Sequence, residues 1–191
     1  MRTRRLGLLA ALILIPALAA AEKPASWFLA GSEPASYSIE RDLTVKHEGR
    51  ATGRLASKGQ PKGFGTMMQY FDPAQYRGKR IKFSAFVKAE NITSWAGLWL
   101  RVDGPEKGRS LAFDNMQSRA IKGTRDWARY EIVLDVDPTA TGIGFGILVD
   151  GPGTVWMDNA AFEVVDVTVP TTGDSRGGTQ QAKPENLNFE R

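Results

Sequence analysis

The stretch that decides the fold is "GIGFGILVDGPGTVWMDNAAFEVV", residues 142–165. Ile143, Phe145, Ile147 and Val149 alternate with glycines, and a period of two is the signature of a half-buried strand. Gly151-Pro152-Gly153 then interrupts the pattern as a turn. Residues 154–165 resume it, and are expected to be the hairpin partner of the strand before them. Gly142, Gly144 and Gly146 strip one face of side chains. Close packing by a neighbour is the first expectation, a shallow concavity the second.

The same period runs outward from there. In residues 80–89, Ile81, Phe83, Ala85, Val87 and Ala89 share one face. In residues 127–136, Tyr130, Ile132, Leu134 and Val136 share one face, with Arg129, Glu131 and Asp135 on the other. No segment sustains a helical period; residues 72–79 allow at most one helical turn. About ten or eleven short strands separated by turn residues imply an all-β protein, an antiparallel β-sandwich.

The ends of the chain differ from this middle. Residues 1–21 have a basic start (Arg2, Arg4, Arg5), an apolar run from Leu6 to Ala19 and small residues to Ala21. This is the pattern of a secretory signal peptide, so the mature protein is expected to be exported, periplasmic or extracellular, without a membrane span. The chain has 25 basic and 21 acidic residues; without the three leader arginines the balance is 22 against 21. The apparent basicity therefore belongs to the leader, and nucleic acid is not an expected partner. There is no cysteine, which excludes disulfides, a lipid-modified cysteine and thiol chemistry. The β-sandwich domain is expected over residues 22–169 and a flexible Gly/Thr/Gln/Pro linker over 170–185. Residues 186–191, "NLNFER", then alternate again, as a strand does, with Leu187 and Phe189 on one face.

Candidate chemistry sits in "SWAGLWLRVDG", residues 94–104. Ala96, Leu98, Leu100 and Val102 form an aliphatic core face. The opposite row carries Trp95, Gly97, Trp99, Arg101 and Asp103. Indoles stack on the C–H faces of sugar rings, while Arg and Asp donate to and accept from hydroxyls, so this row suits a carbohydrate. The competing reading is that both tryptophans are simply packed. Asp114 and Asn115, in "LAFDNMQ" (residues 111–117), are further ligand-binding candidates, although Asp-Asn is also a common turn pair. The single histidine, His47, stands in a turn-like segment and is read as structural. No nucleophile–base grouping, paired carboxylates, phosphate loop or metal motif can be singled out, so no catalytic residue is assigned.

Several of these segments resemble a known family. Gly78-Lys79, Val87-Lys88, Gly123 with Trp127, Gly153 with Val155, and Asp158-Asn159, together with "HEGRATGRL", are similar to CenC-type carbohydrate-binding modules. The resemblance covers roughly residues 27–165. It implies a galactose-binding-like jelly roll and a non-catalytic, glycan-binding function. More particular phrases resemble an uncharacterised bacterial subgroup, some of it attached to regulators. The leading alternative is a structural or protein–protein interaction module; a glycan hydrolase ranks last.

The family also implies a structural calcium ion, for which Asp158 and Glu190 are the candidate ligands. In such modules an Asn-x-x-Phe-Glu strand opens the domain. Here that pattern stands at the other end, in residues 186–190, as a displaced first strand. Three placements stay open: closure onto the chain's own sandwich as a monomer, a truncated tandem repeat, and a strand-swapped dimer.

Overall fold

The computed structural model describes residues 22–175. Ten strands form in chain order: β1 (Phe28–Gly31), β2 (Tyr37–Asp42), β3 (Thr52–Ser57), β4 (Phe64–Phe71), β5 (Lys79–Asp103), β6 (Ser110–Asp114), β7 (Ile121–Val136), β8 (Gly142–Asp150), β9 (Thr154–Val165) and β10 (Asp174–Ser175). Every pairing is antiparallel. The helical content of the described residues is two single 3-10 turns, Pro34–Ser36 and Gln117–Arg119.

The organising element is β5, a strand of 25 residues shared by two layers. Its first half, 79–90, pairs with β9 and β7. Its second half, 95–103, pairs with β8 and β6. Between them the register slips repeatedly and Asn91 takes φ 54°, which kinks and twists the strand from one layer into the other. One layer therefore runs β2-β3-β9-β5-β7 and the other β1-β4-β8-β5-β6-β10.

The expected hairpin between residues 142–149 and 154–165 does not form. β8 pairs with β4 and β5, whereas β9 pairs with β3 and β5. Gly151 (φ 71°) and Gly153 (φ 148°) flank Pro152 in a turn that carries the chain across the sandwich instead of back along one sheet. Such φ values are open to glycine at little cost.

The core is the interleaving of the two inward rows. Ile81, Phe83, Ala85 and Val87 from β5 meet Leu98, Leu100 and Val102 from its other half, with Ile143, Ile147 and Val149 from β8. All are at most 1% exposed. Phe83, Phe145, Phe71 and Phe162 meet at ring-centroid distances of 4.9–5.7 Å, mostly edge to face. Tyr37 closes one end: its hydroxyl donates to the carbonyls of Gly63 (2.7 Å) and Gly151 (3.0 Å), and its ring packs where Gly65 has no side chain. Burial, then the nearby charges of Asp150 and Glu33, push its pKa up to about 12.

The chain past Val169 differs from the linker expected there. Thr172 N donates to Val133 O (2.9 Å), its hydroxyl accepts from Val133 N (3.0 Å), and Asp174 and Ser175 pair with Phe113 and Ala112. Residues 170–175 thus stay on the sandwich as the edge of the second layer. Residues 1–21 and 176–191, which hold the expected leader, the rest of the expected linker, the strand-like segment 186–191 and Glu190, lie outside the described residues.

Candidate functional site

The outward face of the β1-β4-β8-β5-β6 layer is where the candidate residues gather. Its centre is β8, whose outward row is Gly142, Gly144 and Gly146. The indole of Trp99 starts on β5, crosses over β8 and reaches β4, where Nε1 donates to Thr66 Oγ1 at 2.7 Å. Thr66 Oγ1 in turn donates to Ile147 O at 2.9 Å. A Cβ on Gly144 would stand 3.2 Å from the Trp99 ring and 3.4 Å from Tyr70, and one on Gly142 would collide with the Tyr70 ring. The bare row therefore serves packing: two flat rings lie where side chains would stand. Gly146 answers a different need, the close approach of the β4 backbone at Met67.

Trp99 is only 6% exposed, so the stacking role expected of it is corrected. It is the floor of the face, with its polar edge already satisfied. Trp95 is half-buried and stands at the side of a groove of about 480 Å³, together with Phe64, Met68, Leu148 and Phe113. Asn115 lines the same groove because Gly97 lets the 115–116 turn cross the sheet; a Cβ there would come within 2.9 Å of Asn115 O.

Arg101 and Asp103 stand side by side on the row, joined by two parallel bonds, Nε–Oδ1 2.8 Å and Nη2–Oδ2 3.0 Å. This holds the guanidinium flat and largely balances its charge. Arg101 belongs both to the apolar groove and to a second hollow, also about 480 Å³, that continues past Tyr70 to the loop at Glu106, Lys107 and Arg109. Tyr70 is raised above the ordinary phenol range by desolvation against the sheet and then by the Asp103 carboxylate.

Asp114 is not in this groove. It faces Leu100 across the ladder, on the core side, and is 7% exposed. Its oxygens accept from Met116 N (2.7 Å), Arg119 Nη2 (2.7 Å) and Thr172 Oγ1 (2.5 Å). A buried carboxylate needs such partners. Asp114 thus fastens the turn in which Met116 adopts φ 62°, next to Asn115.

The sequence reading passed over Phe113, Phe64, Phe28 and Tyr70. Among the described residues seven large hydrophobic side chains are exposed, and these four, 36–50% exposed, all lie on this one face. Their outward alternation is visible in each strand, but the chain order does not reveal that the four strands are neighbours.

Asp158 does not fit the expected calcium site. Its two oxygens accept from Glu48 N (3.1 Å) and Asn159 N (2.8 Å), while the Asn159 amide donates to Glu48 Oε2 (2.7 Å). No group of three or more His, Cys, Asp or Glu suited to a metal occurs among the described residues. Calcium asks for six to eight oxygens, and here the oxygens are taken by N–H donors. His47, in the loop between β2 and β3, stacks on Phe86 (centroids 3.9 Å apart, 20° between planes) and stands 5.3 Å from Trp127.

No family model matches the chain. It is 43% identical over 171 residues, 88% of its length, to a protein of Bacillus subtilis (strain 168) described as an uncharacterized HTH-type transcriptional regulator, YbfP. The chain spans 58% of the length of that relative. Among solved structures it superposes on the CBM22-1 xylan-binding domain of Paenibacillus barcinonensis Xyn10C, with TM-score 0.55 and 9% identity over 75% of this chain and 88% of that one. It also superposes on the C-terminal family 22 carbohydrate-binding module of Clostridium thermocellum Xyn10B, with TM-score 0.53 and 14% identity over 74% and 87%. The tailspike protein 4 enzymatically active domain of bacteriophage CBA120 matches with TM-score 0.54 and 13% identity over 74% of this chain but 20% of that one. The chain therefore has the jelly-roll β-sandwich fold found in carbohydrate-binding modules.

Proposed function

We propose that the protein is a non-catalytic glycan-binding module, exported by its N-terminal leader, and that the β1-β4-β8-β5-β6 face holds the sugar. The observation that carries this reading is the gathering of exposed rings, Phe28, Phe64, Tyr70 and Phe113, around Trp95 and the Arg101–Asp103 pair. Rings supply stacking surface, and the paired Arg and Asp supply fixed donors and acceptors for hydroxyls. Five strands at 4.7–4.9 Å spacing make the face roughly 20 Å across, the scale of a short oligosaccharide rather than one ring. The internal pairing of Arg101 with Asp103 favours a neutral glycan over a strongly anionic one. The fold shared with xylan-binding modules supports the ligand class.

The same exposed rings also favour a second reading, a face that binds a protein partner. A glycan array on the residue 22–191 chain, followed by tryptophan fluorescence titration, separates them. Binding lost in Trp95→Ala without loss of folding supports the glycan reading. Silence across a broad array, with capture of a defined protein by this face, supports the second.

A further inference from the structure

The groove beside Trp95 does not end at Arg101. Arg101 and Phe113 line both it and the second hollow, so the two form one trough. On β4 the trough runs from Phe64 to Tyr70, roughly 20 Å along the strand. Its two ends differ in chemistry. At the Phe64 end, Arg101 is the sole charged side chain in the lining, among Met68, Trp95 and Leu148. The Tyr70 end is lined by three cations, Arg101, Lys107 and Arg109, and two carboxylates, Asp103 and Glu106.

The polar end stands on one rung of the sheet. Tyr70 on β4, Gly144 on β8, Arg101 on β5 and Phe113 on β6 are successive register neighbours. The Tyr70 ring lies along β8: a Cβ on Gly142 would overlap its hydroxyl, and one on Gly144 would touch its other edge at 3.4 Å. With the bare glycines beneath it and half of the residue exposed, the ring is a flat surface open to solvent. Such a surface suits the C–H face of a sugar ring.

The polar groups beside it are held in place. Arg101 uses Nε and Nη2 on Asp103, and its Nη1 has no partner among the described residues. The guanidinium is planar, so that pair of N–H donors is fixed as well. The loop between β5 and β6 borders the far side. Thr141 Oγ1 donates to Gly104 O (2.9 Å), and Arg109 pairs with Glu106 (3.0 Å). Lys107, at the exposed tip, enters no ion pair among the described residues. With Arg101 matched by Asp103 and Arg109 by Glu106, the lining keeps an excess of one positive charge. That excess balances a single carboxylate and does not suit a polyanion.

We infer, on the glycan reading of this face, that its polar end selects a sugar bearing one carboxylate: a uronic acid unit stacks on Tyr70 and presents its carboxylate to Lys107 and Arg101 Nη1, while neutral units lie along the apolar end. A carboxylate accepting from cationic donors makes stronger hydrogen bonds than a neutral hydroxyl does. The direction of the bound chain follows, with the acidic unit beside the β5–β6 loop and the neutral units toward Phe64 and Trp95.

The test uses matched pairs on the residue 22–191 chain. Oligosaccharides carrying one glucuronate or galacturonate, cellobiouronate among them, are each compared with the same molecule after reduction of the carboxyl to a primary alcohol. Titration calorimetry should find the acid form roughly fivefold tighter at low salt, and the pair within about twofold of each other in Lys107→Ala. The preference should shrink in about 0.5 M salt. Lys107→Glu should reverse it; Lys107 is exposed, so neither substitution threatens the fold. Equal binding of the two forms by the parent, or an acid preference kept in Lys107→Glu, would overturn the carboxylate subsite and leave the glycan reading standing. Absence of binding to both members of every pair, and to neutral glycans, would overturn both.

Discussion

Trp99 and Thr66 are joined across an intervening strand: the indole on β5 passes over the glycines of β8 to donate to a hydroxyl on β4 at 2.7 Å. That bond turns the most conspicuous residue of the candidate site into part of its foundation. Thr66→Val should leave a buried indole N–H unpaired and lower stability by about 1–3 kcal/mol. Trp99→Ala should cost about 3–5 kcal/mol, as large aromatic deletions from packed sites do. Urea denaturation of both variants checks these values. Trp95→Ala should fall within about 1 kcal/mol of the parent, since its ring is half-buried.

Asp114 and Arg119 provide the second prediction. Asp114→Ala removes the carboxylate, 5% exposed, that pairs with Arg119 and accepts from Met116 N and Thr172 Oγ1, leaving Arg119 only the Glu131 carbonyl (3.2 Å). The expected loss is about 3–5 kcal/mol. Glycan affinity measured under folding conditions should change little, apart from any shift of Asn115.

The third concerns acid. Asp42 accepts from Thr44 N and Oγ1 (both 2.7 Å), Val45 N (3.1 Å) and Trp156 Nε1 (2.8 Å). Burial pulls its carboxyl upward, but these bonds outweigh it and hold the pKa far below the ordinary carboxylate range. A carboxyl depressed in the folded state contributes stability that is fully present above its unfolded value, about 3.9, and is lost as pH falls toward the folded one. Tm should therefore drop as pH is lowered from about 5 to 2, and the slope should be shallower in Asp42→Asn.

The fourth tests the glycine row. Gly146→Ala drives a methyl against the β4 backbone at Met67, which has no room to yield, and should destabilise by about 1–3 kcal/mol. Gly142→Ala meets instead the Tyr70 ring, which is 50% exposed and free to swing outward. It should cost less, and thermal denaturation of the two variants gives the order.

How far the sequence carried this picture follows from the range of each interaction. Period-two alternation is local, so the core rows of β5, β7 and β8 and the Trp95–Arg101–Asp103 row could be read directly. The bending of residues 79–103 into one strand serving two layers could not, because it depends on Asn91 at positive φ and on slips of register against β7. The partner of β9 was misjudged for a related reason: a Gly-Pro-Gly turn looks the same whether the chain returns along its own sheet or crosses to the other. Whether Trp99 is a platform or packed stays open in the sequence because its neighbours, Thr66 and the glycines of β8, come from strands distant in sequence. Phe64, Tyr70 and Phe113 went unnoticed because the groove exists only once β4, β8, β5 and β6 lie side by side.

The central claim is that the ringed face of the second layer holds a glycan. Its most direct measurement is isothermal titration of the best array ligand into the parent, Trp95→Ala, Phe113→Ala and Val164→Asp. The account predicts at least tenfold weaker binding in the first two variants and an unchanged affinity in the third, whose substitution lies on β9 in the other layer. Equal affinity in the parent and both groove variants, all shown to be folded, would contradict it.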